Sequence, residues 1–394
     1  MTVSISELSN HTYIDRKLSM TLDSTDAFEG PEKLLEIWFY PNVQSIPDGT
    51  KTLRSIAFEK WIHILELVKC QVLSMKKAEK MDAFLLSESS LFVFDHKLTL
   101  KTCGTTTTLF CLEDLFRIVK EDLGWDFSCE GKNHPYKAFY SRRRFMFPLK
   151  QRSIHKNWSD EVEYLNSFFC FGKSYLVGRL DQANHWNLYV TETNTDLKTY
   201  EDEYPDDDET LEILMTGLEP SKSNQFVVSR ESSDVDNCGS DDAGHVLGLR
   251  TTQATKLDSV YDNVRNVSIQ HDAFAFTPCG YSSNVVMDGQ FYYTLHVTPE
   301  NGWSYASFES NVPVKHVSKN SQDNIEVMKR VLDVFRPADF CLTFFVRNIA
   351  NDNFGRLMKL CDEVPGYSKK DKIIYDLDDY HLLYLRYARI PEKV

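Results

Sequence analysis

Apolar residues follow two different periods in the first third of the chain. In the segment FEGPEKLLEIWF they recur at helical spacing after Pro31, and this predicts a short amphipathic helix after Gly30. Further helices are predicted over 53–68 and 112–120. The sequence between them, from 71 to 110, is rich in Val, Leu, Phe and Thr, a composition that is typical of strands.

The second half of the chain repeats this pattern of strands followed by a helix. Strands are predicted at 290–298, 304–309, 340–347 and 380–389, with a helix at 323–335. Strand pairs with a covering helix in both halves predict an α+β fold of two antiparallel sheets, each with helices on one face. Two such layers could pack sheet against sheet.

Two polar stretches, 194–209 and 221–242, lie between the halves. Seven of the nine residues in 201–209 are acidic, which is typical of a solvated loop because like charges repel. The segment 221–242 is rich in Ser, Asp and Asn, and this predicts a mobile insert.

Composition narrows the class of protein. The 394 residues are 42% hydrophobic and carry 58 acidic against 44 basic side chains, a net charge of −14. This indicates a soluble globular protein that does not bind nucleic acid, because phosphate binding needs a basic surface. The first 20 residues lack the apolar core of a signal peptide, and no apolar run is long enough to span a membrane. We therefore expect a cytoplasmic protein.

Cysteine usage agrees with that compartment. There are nine cysteines, an odd number, and none forms a CxxC pair. This predicts reduced thiols and no structural zinc.

Three features carry candidate chemistry, each with an ordinary structural interpretation beside it. The serines in LSESS, at 86–90, are typical of a polar turn between strands. Cys103 precedes Gly104, which lets the backbone approach a ligand closely, but a buried free cysteine fits equally. His296 lies on an apolar strand, where a core histidine is common. A cysteine and a histidine are also found together in thiol hydrolases, yet the sequence has no local signature of that class.

Five segments together resemble the eukaryotic S-adenosylmethionine decarboxylases. They are FEGPEKLLEIWF, LSESSLFVF, LKTCGTT, FTPCGYSSN and LHVTPE with WSYASFESN, in the family's order between 28 and 311. The combination of SESS with KTCG is highly specific to that family. The TTTTLF segment and the acidic run look like the fungal branch, and the long Ser/Asp-rich insert is the main departure.

The resemblance implies a fold and a cofactor. The fold would be a single four-layer α/β/β/α sandwich over 1–394, with two antiparallel sheets, helices on the outer faces and two pseudo-repeated halves. The family belongs to the pyruvoyl enzymes, so the chain would cut itself between Glu88 and Ser89 into fragments 1–88 and 89–394. Ser89 would become the covalent pyruvoyl group, and no metal is expected.

The resemblance also implies catalytic roles. The Ser89 hydroxyl would attack the Glu88 carbonyl, His296 would act as base and Ser282 would help to hold the intermediate. The finished ketone would form a Schiff base with S-adenosylmethionine and accept the electrons left when CO2 departs. Cys103 would then protonate the α-carbon, and the product would serve as the aminopropyl donor for spermidine and spermine.

The substrate would be bound by rings and carboxylates. Phe28 and Phe276 match the pair that sandwiches the adenine, and such rings also favour a nearby sulfonium. Glu300 would accept two ribose hydroxyls. Further active-site carboxylates would be Glu29 and Glu32, on the first turn of the predicted Pro31 helix, and Glu88.

A second ligand set is implied for putrescine, the diamine that becomes spermidine and that activates many family members. It comprises Glu36, Lys101, Asp208, Thr210, Glu212 and Glu309. The resemblance leaves open a homodimer and the extent of diamine stimulation. The alternative from another class is a catalytically inactive regulatory relative that binds an active subunit; the joint presence of Ser89, Cys103, Ser282 and His296 argues against it.

Overall fold

The computed structural model divides into two compact units, one formed by Glu29–Glu203 and the other by Met1–Phe28 with Tyr204–Val394. We refer to them as the first and the second unit. Strands and helices are numbered along the chain, and β1, Tyr13–Ile14, belongs to the second unit. The structure describes residues 11–15, 28–179, 185–197, 208–228, 243–261, 267–317, 323–347, 352–360 and 364–391.

Eight strands of the first unit lie in one antiparallel sheet, in the order β3-β4-β5-β6-β2-β9-β11-β10. A separate small hairpin pairs β7, Ser128–Cys129, with β8, Lys132–Asn133. The sheet strands are β2 Lys33–Trp38, β3 Val72–Lys77, β4 Met81–Leu86, β5 Ser89–Phe94, β6 Lys97–Thr102, β9 Lys137–Arg143, β10 Gly172–Val177 and β11 Trp186–Thr191.

Three α-helices belong to the described part of the first unit: α1 Phe58–Leu67, α2 Leu112–Ile118 and α3 Trp158–Phe168. Helix α1 buries Trp61, Ile64 and Leu65, one stripe at helical spacing. The helices predicted over 53–68 and 112–120 are therefore confirmed, although the first begins as a short 3-10 turn.

The helix predicted after Gly30 is wrong, because this segment forms strand β2. Lys33, Leu35 and Ile37 are fully buried while Leu34 and Glu36 are half-buried, which is the two-residue period of a strand. β2 lies between β6 and β9 and is hydrogen-bonded along both edges, so its position in the sheet outweighs a helical spacing that is only a few residues long.

Eight strands of the second unit form its antiparallel sheet, in the order β13-β14-β15-β16-β12-β17-β19-β18. The strands are β12 Glu209–Thr216, β13 Ile269–Ala275, β14 Tyr281–Met287, β15 Phe291–Thr298, β16 Tyr305–Ser310, β17 Asp339–Val346, β18 Tyr367–Leu377 and β19 Tyr380–Arg389. The helices are α4 Pro220–Ser223, α5 Ala243–Thr255, α6 Val314–Val317, α7 Asn324–Phe335 and α8 Asp352–Leu360.

The two sheets share one strand order. In each, four consecutive strands form a meander, and the strand that precedes the meander in sequence (β2 or β12) lies beside its last member. Then follow β9, β11 and β10 in the first unit and β17, β19 and β18 in the second. The prediction of an α+β fold with two antiparallel sheets and two repeated halves is thus confirmed.

One face of the second sheet packs on helices and the other is polar. Leu211, Ile213 and Met215 of β12 alternate into a core that also takes Val327 and Val331 from α7. Asp323 begins α7 by accepting hydrogen bonds from the backbone N–H groups of its first turn. The intervening residues of the strands place buried polar side chains on the opposite face, and several of these are predicted site residues.

The predicted second-half strands and the helix at 323–335 are confirmed to within a residue or two at each end. The segment predicted as a mobile insert is described only over 221–228, which forms the end of α4 and a 3-10 turn, Asn224–Phe226. Its remainder, 229–242, and most of the acidic run, 201–207, lie outside the described residues. Among the described residues no helix is long and apolar enough to cross a membrane.

Candidate active site

The hairpin between β4 and β5 carries the serine that the resemblance singles out. Leu86 pairs with Ser89, so Ser87 and Glu88 form a two-residue turn. Such turns commonly need positive φ at their central residues, but here the positive φ, +122°, falls on Ser89 itself. Residues with a side chain avoid this region, so the backbone is strained at the predicted cut.

The Ser89 side chain is fully buried, and its hydroxyl has no hydrogen-bond partner among the described residues. Burying a hydroxyl without a partner costs about 1–3 kcal/mol. A strained backbone and a buried hydroxyl with no described partner, both at one residue, are features of a candidate reactive residue.

The carbonyl of Glu88 accepts a hydrogen bond from the backbone N–H of Cys103 at 3.0 Å. Cys103 directly follows β6 and precedes Gly104, whose φ is +63° and whose N–H donates to the Glu29 carbonyl at 2.9 Å. This turn therefore aims one backbone donor at the carbonyl next to Ser89. A donor in that place would stabilise negative charge developing on the carbonyl oxygen.

Two acidic groups meet beside the turn. The Cys103 thiol donates to Glu88 Oε2 at 3.9 Å. Burial raises the pKa of Glu88 to about 8 and the pKa of Cys103 well above its usual value. Both groups consequently hold their protons at neutral pH, as a proton donor must.

The two carboxylates before β2 are buried, each with defined partners. Glu29 accepts the backbone N–H groups of Met146 and Phe147 at 2.7 and 2.6 Å. Burial raises the pKa of Glu29, and these two hydrogen bonds offset part of that rise. Glu32 lies 3.6 Å from Lys101 Nζ. Both precede β2 in extended chain, so the prediction that they occupy a helical first turn is wrong.

Sequence reasoning missed Lys33. It is fully buried, and its Nζ donates to the Gly104 carbonyl and to Thr106 Oγ1, each at 3.2 Å. Burial lowers the pKa of Lys33 to about 8. The ammonium thus ties β2 to the turn that presents Cys103. The available signal was a lysine at the start of a largely apolar strand, but a helical interpretation of the segment would place it at the surface.

In the second unit, Ser282 and His296 are direct neighbours across β14 and β15. His296 Nδ1 lies 2.9 Å from Ser282 Oγ, and Nε2 lies 2.9 Å from Thr294 Oγ1. The Thr294 hydroxyl can donate its proton to the Ser283 carbonyl at 2.8 Å or to Asn284 Oδ1 at 3.1 Å.

These contacts favour one tautomer of His296. If Thr294 donates its proton to Ser283 or Asn284, its oxygen accepts from His296 Nε2–H, and the lone pair of Nδ1 faces Ser282. In this tautomer Nδ1 is available to accept a proton. Thr294 is a positioning residue that sequence reasoning missed, since a single threonine in a strand has no signature.

The predicted substrate-binding residues of the second unit also have defined partners. The backbone N–H of Phe28 donates to Glu300 Oε2 at 2.9 Å. Phe276 packs on Phe274 with ring centroids 4.8 Å apart and is almost fully buried. The structure thus brings Phe28 and Glu300 together.

The predicted putrescine residues divide between the units. In the first, Glu36 accepts from Thr99 Oγ1 at 2.9 Å and from Trp38 Nε1. Lys101 of the same sheet is paired with Glu32 as described above. Both Lys101 and Thr99 are almost fully buried.

In the second unit, Glu212 and Glu309 are paired positions of β12 and β16, and both are buried. Tyr292 donates to Glu309 Oε1 at 2.9 Å, and Asp208 accepts from the Tyr380 hydroxyl. Thr210 is half-buried on β12. Two carboxylates at paired strand positions repel each other unless a proton or a cation lies between them.

The chain is similar to known proteins over most of its length. The family model described as adenosylmethionine decarboxylase matches residues 25–388. An S-adenosylmethionine decarboxylase proenzyme of Saccharomyces cerevisiae is 59% identical over 392 residues, 98% of this chain and 99% of that protein. A proenzyme of the same description from Xenopus laevis is 33% identical over 378 residues, 95% and 99% of the two chains.

A solved structure is similar in fold. It is the Trypanosoma brucei AdoMetDC-delta26 monomer, with a TM-score of 0.51 and 19% sequence identity. The alignment covers 76% of this chain and 99% of that one.

Proposed function

The chain belongs to the adenosylmethionine decarboxylase family, and we propose that it is a proenzyme that cuts itself between Glu88 and Ser89. Its activity is the decarboxylation of S-adenosylmethionine with a pyruvoyl group made from its own serine. The observation that carries the assignment of the cut is Ser89, whose buried hydroxyl has no partner in the described part of the chain and whose backbone has a φ of +122°.

The residues around the turn are suited to forming the pyruvoyl group. The Ser89 oxygen adds to the Glu88 carbonyl carbon and the C–N bond then breaks, which turns the amide into an ester and frees the Ser89 amine. Release of the backbone strain favours this shift. The Cys103 N–H, 3.0 Å from the Glu88 oxygen, stabilises the oxyanion that forms on the way.

The second step needs a base. Removal of the Ser89 α-proton expels the ester oxygen as the Glu88 carboxylate, and water then replaces nitrogen, which leaves as ammonia. We assign the base to His296, whose Nδ1 would carry its lone pair in the tautomer that the contacts with Thr294 and Ser282 favour. Ser282 is assigned to holding the intermediate.

In the decarboxylation itself, the pyruvoyl group supplies a carbonyl that condenses with the substrate amine and accepts the electron pair left by CO2. Cys103 delivers the proton to the α-carbon, and burial keeps that proton on sulfur at neutral pH. Phe28 and Phe276 are assigned to the adenine and Glu300 to the ribose. The carboxyl groups of Glu29, Glu32 and Glu88 complete the proposed set for a cationic substrate.

We further propose that putrescine binds among the acids Glu36, Asp208, Glu212 and Glu309, with Lys101 and Thr210. The pairing of Glu212 with Glu309 supports this, because a diammonium ion would offset the repulsion between two buried carboxylates. Glu309→Gln should then reduce the stimulation of decarboxylation by added putrescine, and a putrescine titration would measure it. Unchanged stimulation would remove Glu309 from the site.

A cytoplasmic location is proposed from the nine cysteines, which are odd in number and form no CxxC pair.

The experiment that tests the cut is an intact-mass spectrum of the purified protein. The expected result is two fragments, 1–88 and 89–394, the larger beginning with pyruvoyl. Ser89→Ala should give one uncut, folded and inactive chain, while Ser90→Ala, the same substitution at the next buried serine, should still be cut. A single uncut wild-type chain would contradict the proposal and favour an inactive regulatory relative.

The role of His296 has a separate test. His296→Ala should stop after the shift, because the hydroxyl still attacks but no base completes the elimination. Hydroxylamine cleaves esters and should split this variant between Glu88 and Ser89. Resistance of the uncut variant to hydroxylamine would remove His296 from the role of base.

A further inference from the structure

A second cluster of chemically active side chains lies in the second unit, and the proposed reaction does not use it. It contains His11, which precedes β1, His245 near the start of α5, and Asp272 of β13. His11 Nε2 lies 2.8 Å from Asp272 Oδ1, and His245 Nε2 lies 3.7 Å from the same oxygen. One ligand atom from each residue lies within 4.8 Å of the others.

All three side chains are buried, with exposed fractions of 3%, 0% and 3% for His11, His245 and Asp272. The two imidazole rings meet edge to face, their centroids 5.4 Å apart. A carboxylate removed from water in this way is stabilised by a cation or by several hydrogen bonds. Here two imidazole nitrogens converge on one carboxylate oxygen.

The distances suit a metal ion better than a second hydrogen bond. At 3.7 Å, His245 Nε2 is too far from Asp272 Oδ1 for a hydrogen bond. Around tetrahedral Zn²⁺, with bonds of about 2.0–2.2 Å, neighbouring ligand atoms stand roughly 3.4 Å apart. The separations of 2.8 and 3.7 Å lie on either side of that value, and the third separation is within 4.8 Å, so movements of less than about 1 Å by each ligand atom would complete the coordination.

The donor set indicates the class of ion. Two imidazoles with one carboxylate favour a borderline divalent transition metal, whereas Mg²⁺ and Ca²⁺ prefer oxygen ligands alone. We propose that His11, His245 and Asp272 bind Zn²⁺ or a similar divalent transition ion, with a water molecule as fourth ligand. The expectation of no zinc rested on cysteine spacing, and this cluster contains no cysteine.

The site would join three separate parts of the second unit. His11 brings the segment 11–15 to the sheet, and α5 packs directly on β13. His245 also contacts Phe274 edge to face at 5.1 Å, and Phe274 packs on Phe276. A bound ion would thus fix the segment 11–15 and hold the ring that supports a proposed substrate-binding residue.

The test uses full-length protein without an affinity tag, treated with EDTA and then titrated with ZnCl2 or CoCl2. We expect one ion per chain by elemental analysis, and a Co²⁺ spectrum in the visible typical of tetrahedral nitrogen and oxygen ligands. His11→Gln, His245→Gln and Asp272→Asn should each weaken binding at least ~100-fold. His63→Gln is the matched control, since His63 lies 3.6 Å from Asp114 at the surface.

Several results would overturn the proposal. These are no stoichiometric ion in the wild-type protein, equal binding by the three variants and the control, or a thiolate-to-cobalt band that reveals binding by cysteines. The extent of self-cleavage reports folding of each variant. His11 lies outside the helices and strands, so His11→Gln should perturb folding less than His245→Gln. It therefore still tests metal binding if His245→Gln fails to fold.

Discussion

Ser89 shows how a single residue can be held ready to react. Its φ of +122° costs on the order of 1–3 kcal/mol, and the hydrogen-bonded strands on either side enforce it, since Ser89 is paired with Leu86 of β4 and with Thr102 of β6. Neither turn residue before it, Ser87 or Glu88, has a positive φ. The strain is therefore concentrated at the peptide that is proposed to break.

Cys103 is proposed to act in two steps through different atoms, its backbone N–H and its thiol, and this predicts separable effects. Cys103→Ala keeps the backbone N–H, so the chain should still be cut. Decarboxylation without the thiol should be slower by about 100-fold or more. Protonation at the cofactor carbon would then compete, leaving the nitrogen on an N-terminal alanine and releasing the product as an aldehyde.

Turnover and the mass of the larger fragment after substrate exposure measure these effects. Cys111→Ala, at another buried free thiol, is the control and should keep turnover and pyruvoyl intact. If Cys103→Ala behaved like the control, Cys103 would be a structural cysteine.

Glu88 predicts a pH dependence of stability in the uncut chain. Its pKa is raised from 4.5 to about 8, so between these values the folded state binds more protons than the unfolded state. The free energy of unfolding should therefore fall as pH rises from about 5 to 8, with a contribution from Glu88 of up to about 5 kcal/mol. Lower pH restores the stability.

Urea unfolding of Ser89→Ala across this range measures the slope, and adding Glu88→Gln should flatten it. Glu79→Gln makes the same substitution at an exposed position and serves as control. A slope that the Glu88→Gln change leaves intact would show that other groups cause it.

At the scale of elements, the turn after β6 positions a backbone donor. It places the Cys103 N–H against the Glu88 carbonyl, and Gly104 in this turn has a φ of +63°. Lys33 clamps the same turn from β2 through the Gly104 carbonyl. A small backbone change here should affect the cut more than it affects stability.

Gly104→Ala tests this. Alanine at positive φ costs about 1–2 kcal/mol, and relaxation of the turn should shift the Cys103 donor, so self-cleavage should slow markedly. Gly49→Ala is matched, because Gly49 has φ of +76° and open space around it. It should lose similar stability and be cut at the normal rate, as followed by gel over time. Equal cleavage rates in the two variants would refute the role of the turn.

Prediction from sequence succeeded where an element has one clear period or cap. The strand 380–389 matches β19 in both bounds, and Asp323 marks the start of α7. It failed for β2, because Leu34, Leu35 and Trp38 fit a helix as well as a doubly hydrogen-bonded strand. The raised pKa of Glu88 could not be predicted from the sequence, because it results from burial by residues that are distant along the chain.

At the scale of the whole molecule, two units share one strand order with different side chains. β5 reads SSLFVF and its counterpart β15 reads FYYTLHVT, so the repeat has little sequence signal. The common order places each proposed catalytic set on a meander: Ser89 and Cys103 in the first unit, Ser282 and His296 in the second. Sequence patterns located the strands and predicted two similar halves, whereas the shared strand order follows only from the pairing.

The position of β2 also decides what becomes of the small fragment after the cut. Fragment 1–88 would contain β2, β3 and β4, yet β2 is hydrogen-bonded between β6 and β9 of fragment 89–394. The two pieces are interleaved and cannot part unless the sheet unfolds. An intact small fragment from one molecule could not replace a defective one in another molecule. Two alleles with mutations on opposite sides of the cut should therefore not complement each other by exchange of fragments.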